Sequence, residues 1–264
     1  MNVQDFQADF APYLHHIQSA IATESGDWIV KGFIDVFRTI YTISVDTKVI
    51  SKIMELMLLP VIGAFAEEHG YRLELSDHQN HYPDLTLTAP DETRIALDLK
   101  STYRLNATRA NGFTLGAFTG YFRDRQSTKN VTYPYASYSA HLILGIIYSR
   151  CDNALDEQRT YTIDDLPHIA SVIGDFEVLL QEKWRLASDR PGSGNTKNIG
   201  SATTSTDLLT GNGVFAPHGP DVFDQYWMNY QTQDMAEKIG SVRPYATLPE
   251  YWAWVEKLRG DTIP

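Results

Sequence analysis

Residues 84 to 100 constrain the fold more than any other stretch, because two alternating runs flank a turn. In Asp84-Leu85-Thr86-Leu87 and in Ile95-Ala96-Leu97-Asp98-Leu99-Lys100 every second residue is aliphatic, the period of a strand buried on one face. Ala89-Pro90-Asp91-Glu92 between them has the composition of a turn. An antiparallel fold about residue 91 sets Leu87 against Ile95, Thr86 against Ala96, Leu85 against Leu97 and Asp84 against Asp98. The aliphatic residues then share one face, and Asp84, Asp98 and Lys100 share the other. Directly opposed side chains lie about 4.5–5.5 Å apart at Cβ, and like charges there repel. Two carboxylates so placed must share a proton or bind a cation.

Mg2+ is a hard cation commonly held by one or two carboxylates, with water and phosphate oxygens completing its shell. An ammonium on the same face then has a use: Lys100 could orient or activate a water, or balance charge developing on a phosphoryl group. The structural alternative is an edge hairpin with a solvated Asp/Lys face. A retaining glycosidase is a poorer match, since it needs a raised pKa on one acid and an adjacent ammonium opposes that.

The 264 residues suit one large domain, and 43% hydrophobic content with 12% aromatics supports a core. The most apolar stretch, VISKIMELMLLPVIGAF, is interrupted by Ser51, Lys52, Glu55 and Pro60, so no membrane span is expected. MNVQDFQADF lacks the regions of a signal peptide, and a cytoplasmic location is expected. A single cysteine, Cys151, excludes an intramolecular disulfide and a multi-cysteine zinc site. The net charge of −11 opposes a broad nucleic-acid surface, so any DNA-binding patch must be local. Lys129, Lys197, Arg123 and Arg125 are the candidates for it.

Along the chain, a helix and then short strands are expected before residue 45. A helix capped by Asp46 follows, with Val49, Ile53, Met54 and Met57 apolar, a kink at Pro60 and an end at Gly70. Glu55 in it is either a solvent-facing residue or a carboxylate aimed at the acidic hairpin. FTLGAFTGYF and NVTYPYASY read as strand or loop, SYSAHLILGIIYSR as a helix, and YTIDDLPHIA and FEVLLQEKWRLA as strands or short helices. The glycine-bearing segment 189–198 matches neither the P-loop nor the dinucleotide spacing. Its small residues with Asn and Thr suit a loop approaching base edges, or an ordinary surface loop.

SVDTKVISKIMEL, EEHGY, QNHYPDLTL, IALDLKSTY, FTLG, STKN before TYP, LQEKW, GSGNTKNIGS and Tyr226-Trp227-Met228-Asn229-Tyr230 occur in that order. In them the chain resembles the EcoRV-type Type II restriction endonucleases of the PD-(D/E)xK nuclease superfamily, over about residues 44 to 230. The resemblance implies an α/β, restriction-endonuclease-like fold with a central mixed β-sheet flanked by helices, in one domain spanning residues 1 to 264. A small dimerisation subdomain would come from about 15–45 and 150–170. It implies a homodimer that cuts double-stranded DNA at the palindrome GATATC, centrally, to blunt ends with 5′-phosphates. Mg2+ would be the cofactor, with Mn2+ able to substitute. Asp84, Asp98 and Glu55 would be the metal-binding carboxylates, and Lys100 the catalytic lysine. Gln79 and Asn80 would meet the minor groove, and Gly192, Ser193, Gly194, Asn195 and Thr196 the major groove. Thr102, Lys129, Lys197 and Asn198 would add DNA contacts. His78 and Lys197 stand where the family pattern has glutamine and threonine. A cognate DNA methyltransferase would share the host without touching the enzyme. A repair or nicking nuclease of the superfamily, or a DNA-binding relative that no longer cleaves, are the alternatives.

Overall fold

The alternating hairpin lies inside a mixed sheet rather than at its edge. The computed structural model describes residues 2–151, 158–192 and 197–260. The chain begins with α1 (Val3–Phe10) and α2 (Tyr13–Ile21), two short strands, β1 (Gly32–Ile34) and β2 (Ile40–Thr42), and the long α3 (Thr47–Glu68). Then come β3 (Arg72–Leu75), β4 (Leu85–Thr88), β5 (Arg94–Asn106), β6 (Arg109–Ala110), β7 (Thr114–Ala117), β8 (Ala140–Arg150), β9 (Thr160–Tyr161) and β10 (Ile173–Glu182). The remainder is α4 (Lys183–Leu186), β11 (Ala187–Pro191), β12 (Asn198–Ser201), α5 (Ser205–Thr210), α6 (Pro220–Asn229), α7 (Gln233–Lys238) and α8 (Leu248–Gly260).

The central sheet runs β10-β8-β5-β4-β3, with β6 appended to β5. β5 and β8 are parallel and the other neighbours antiparallel. The hairpin register is the one its alternation dictates: Leu85 faces Leu97, Thr86 faces Ala96 and Leu87 faces Ile95. Its aliphatic face packs under α1, α2 and α3 with Phe6, Phe10, Ile50, Met54 and Phe65. The other face is also covered, as Ala96, Thr86 and Thr88 are buried beside a second apolar cluster containing Phe118, Phe122, Tyr135 and Trp227. The expectation of one buried face is corrected to two.

SYSAHLILGIIYSR is not a helix, since Ala140–Arg150 form β8. Leu142 through Ile147 alternate between the two apolar clusters, and a strand covered on both sides reads as a continuous apolar run with no period to separate it from a helix. Gly145 fits that position, because an added Cβ would lie 2.9 Å from Leu179 Cδ1 and 3.0 Å from Phe113 Cζ.

Asp46 caps α3, accepting from the Lys48 and Val49 amides at 2.9 and 3.1 Å. Ile50, Met54, Leu58, Ile62 and Phe65 form its buried stripe, with Val49, Ile53 and Met57 only partly covered. The helix is continuous through Pro60, whose exposed position lets water satisfy the carbonyl left without a donor. By length and composition α3 is apolar enough to cross a membrane; here its apolar stripe is spent on the sheet.

Candidate active site

The hairpin brings Asp84, Asp98 and Lys100 into contact. Lys100 Nζ lies 3.2 Å from an Oδ2 of each aspartate. The Asp84 amide donates to Asp98 Oδ1 at 3.2 Å, and the Leu99 amide donates to Asp84 Oδ2 at 2.8 Å. Both carboxylates are thus aimed by backbone N–H groups of the opposite strand. Asp98 is buried, while Asp84 and Lys100 remain partly open to solvent.

Burial, and then the charge of Asp98, raise the Asp84 carboxyl above its usual range, with Lys100 and the Leu99 amide acting in the opposite sense. Burial alone would lower Lys100, but Asp98 and Asp84 outweigh it and hold the ammonium above its ordinary value. A raised carboxyl contributes stability that is full below the unfolded-state pKa of about 3.9 and is lost as pH rises through the raised value. In EDTA, Asp84→Asn is therefore expected to remove one source of declining stability above about pH 4. Urea unfolding across that range checks this; a mutant profile parallel to wild type would mean that the carboxylate repulsion is not felt.

Lys100 reaches the wall of a cleft of about 740 Å3 that is also lined by Glu55, Gln79, Ser101, Thr102 and Arg150. Neither aspartate is among the residues that line that cleft. Glu55 reaches the cleft from α3 and pairs with Lys52 at 2.6 Å. Ser51 and Ser101 share a hydrogen bond of 2.7 Å, which ties α3 to β5 beside Lys100. Among the described residues no three carboxylate, His or Cys side chains converge as a metal cluster. Two carboxylates nevertheless suit a hard cation that keeps several waters.

Thr102 is buried at the cleft, and Gln79 and Asn80 are exposed between β3 and β4. Ser193, Gly194, Asn195 and Thr196 lie outside the described residues. Their flanks are closed: Gly192 donates its amide to the Asn198 carbonyl at 2.9 Å, and the Lys197 carbonyl accepts from the Phe118 amide at 2.9 Å. The Lys129 and Lys197 side chains are exposed. Arg123 and Arg125 leave the list of phosphate-gripping candidates. Arg123 donates to the Tyr230 carbonyl, and Arg125 pairs with Asp224 at 2.7 Å. The sequence reading did not single out Lys48, Asn111 or Arg150 in the cleft wall; only the approach of α3 and of the β6–β7 connection to β5 makes them neighbours.

A D-x-K strand facing a second aspartate, on a mixed sheet between helical layers, defines a nuclease of the PD-(D/E)xK class. A family model described as Restriction endonuclease EcoRV matches residues 24–256. The Type II restriction enzyme EcoRV of Escherichia coli is 39% identical over 246 residues, 91% of this chain and 96% of that enzyme. The chain belongs to the EcoRV restriction endonuclease family and is a Type II site-specific deoxyribonuclease.

Proposed function

We propose that this enzyme hydrolyses both strands of duplex DNA at GATATC, cutting centrally to blunt ends with 5′-phosphates, with Mg2+ as its metal. The observation that carries the chemistry is the Lys100 ammonium held 3.2 Å from both Asp84 and Asp98 at the wall of an open cleft. Asp84 and Asp98 would hold the metal, which supplies Lewis-acid stabilisation and a more acidic water. In the metal-free site Asp98 and Asp84 hold Lys100 above its ordinary value, and its ammonium would balance charge developing on the phosphoryl group. Glu55 supports the site from α3. Mn2+ has the same oxygen preference and should substitute.

The base sequence rests on the family likeness and on the loop between Gly192 and Asn198, with Gln79 and Asn80 on the minor-groove side. Digesting a sequenced plasmid with Mg2+ and mapping the ends tests the whole reading. Blunt ends at GATATC are expected; nicks alone would favour a repair or nicking nuclease, and binding without hydrolysis a non-cleaving relative. Asn195 can offer a base edge both a donor and an acceptor, a contact that contributes about 1–3 kcal/mol of discrimination. Asn195→Ala should therefore suppress GATATC cleavage by roughly 10–100-fold while non-specific binding persists. An unchanged cleavage pattern would remove the loop from recognition.

A homodimer fits a palindromic site, since each subunit reads one half. The three-stranded sheet β1-β2-β9 joins the two segments expected to dimerise, with residues 152–157 of the second outside the described residues. That sheet exposes Phe33, Ile34, Val36, Phe37 and Tyr41, with Ile163 and Leu166 just beyond β9. A patch of that kind marks an interaction surface. The methyltransferase of the same host would act on the same site without contact, and both would work in the cytoplasm.

At −11 per chain the outer surface repels a duplex that arrives away from the cleft. Binding then depends on few cations, and removing Lys129 or Lys197 should each lower the slope of log K against log salt by about 0.9. A salt titration with a non-cognate duplex measures it; unchanged slopes would place both lysines away from the DNA.

A further inference from the structure

Lys183 is only 1% exposed, its ammonium has no hydrogen-bond partner, and no step described above uses it. The sheet register sets it on the face that carries the catalytic acids. Ala96 and Asp98 are two residues apart on β5 and point the same way. His141 on β8 is level with Ala96, and Glu182 on β10 pairs with Leu142, so Lys183, the next residue, comes level with His141. The ammonium lies over the buried rings of Tyr82, Tyr135 and Phe122, at 4.9, 5.3 and 5.4 Å from their centroids. Tyr82 stands two residues before Asp84, and its hydroxyl is 2.7 Å from His141 Nδ1. A Cβ placed on Gly116 would lie 3.2 Å from the Tyr121 hydroxyl and 3.6 Å from Lys183 Nζ, so phenol and ammonium converge there.

The other charged groups near Lys183 are already paired. Arg125 and Asp224 lie 2.7 Å apart, and Glu182 lies 3.4 Å from Arg185. Burial, and then Lys183 and Arg125, hold His141 well below its usual range, so it stays neutral. Burial lowers Lys183 to about 8, and Asp98 is the charge that opposes this most; at neutral pH the group is still an ammonium. Asp98 is also the charge that acts most strongly on the Tyr121 phenol. Asp84, Asp98 and Lys100 alone leave one negative charge over. Lys183 balances it across a buried aromatic layer, where water does little to screen the field.

We propose that Lys183 is a positioning residue of the metal site, a fixed buried cation that weakens the hold of Asp84 and Asp98 on a divalent metal until a scissile phosphate brings its own negative charge. The inference rests on the reading that these two aspartates hold the metal. An ion that enters the protein alone meets two carboxylates already balanced by two ammonium groups. A phosphodiester beside them restores a negative site, so metal uptake is coupled to DNA. A packing role needs no charge, because Met fills much the same space without the cost of burying an ammonium.

Mn2+ binding to the DNA-free, full-length protein near neutral pH, read from the electron spin resonance signal of the free ion, tests this. Lys183→Met and Lys183→Gln are each expected to tighten it by about tenfold or more, and the Mg2+ concentration for half-maximal cleavage should fall with it. A packing role predicts the opposite sign, since a loosened hairpin holds a metal less well. Asp98→Ala separates the two readings. Undiminished Mn2+ binding in Asp98→Ala would place the metal elsewhere and remove the reading beneath the proposal. Binding lost in Asp98→Ala, yet no tighter than wild type in the folded Lys183 variants, would overturn the proposal alone. Should one Lys183 variant fail to fold, the other decides; should both fail, the charge serves the fold and the proposal falls.

Discussion

Asp84→Ala, Asp98→Ala and Lys100→Ala are each expected to lower the single-turnover cleavage rate by at least about 10³-fold without unfolding the protein. The fold should survive because the core contributions of the hairpin come from Leu85, Leu87, Ile95 and Leu97 on the opposite face. The three losses differ in charge, and this separates them in stability. Without either aspartate, Lys100 keeps the other as a partner at 3.2 Å. Without Lys100, two carboxylates face each other with no cation, so Lys100→Ala should be the least stable of the three in EDTA and should regain most when a divalent metal is added. Glu55→Ala should be milder, about 10–100-fold, as expected of a group that supports the site from a neighbouring element. Rapid-quench kinetics on a GATATC duplex and thermal unfolding with and without Mg2+ provide both readings. Wild-type turnover by any of the first three variants would remove the hairpin from the active site.

That the hairpin could be read in advance follows from its period. A two-residue alternation with a turn between leaves one antiparallel register in which the aliphatic residues agree, and a slip by one residue would turn the leucines to the wrong face. β8 had no such protection, because its side chains are apolar in both directions. The cleft could not be read either, since it depends on α3 meeting β5 through Ser51 and Ser101, 50 residues apart. Charge was the least legible property. Arg123 and Arg125 look in sequence like the exposed Lys129, yet one turns to the Tyr230 carbonyl and the other to Asp224. Which cations are free to meet DNA is decided by tertiary pairing, which composition does not contain.

The double substitution Val36→Asp, Phe37→Asp is expected to convert the enzyme to a monomer that no longer makes double-strand breaks efficiently. Val36 and Phe37 are 90% and 85% exposed at the turn between β1 and β2. The turn does not depend on their side chains: Asp35 holds it, accepting from the Phe37 and Thr39 amides at 2.9 Å. Such exposure leaves little apolar area to lose within one chain, so the variant should fold. In a two-fold dimer built on this sheet the same patch meets itself, and each charge placed there is buried twice and set near its own copy. Desolvation and like-charge contact together cost several kcal/mol, a rise in the dimer dissociation constant of at least about 10³-fold. Sedimentation at working concentrations, beside a plasmid assay that separates nicked from linear product, measures both consequences. A variant that stays dimeric and cuts normally would place the interface elsewhere on the molecule, and a wild-type monomer that cuts both strands at full rate would remove the dimer altogether.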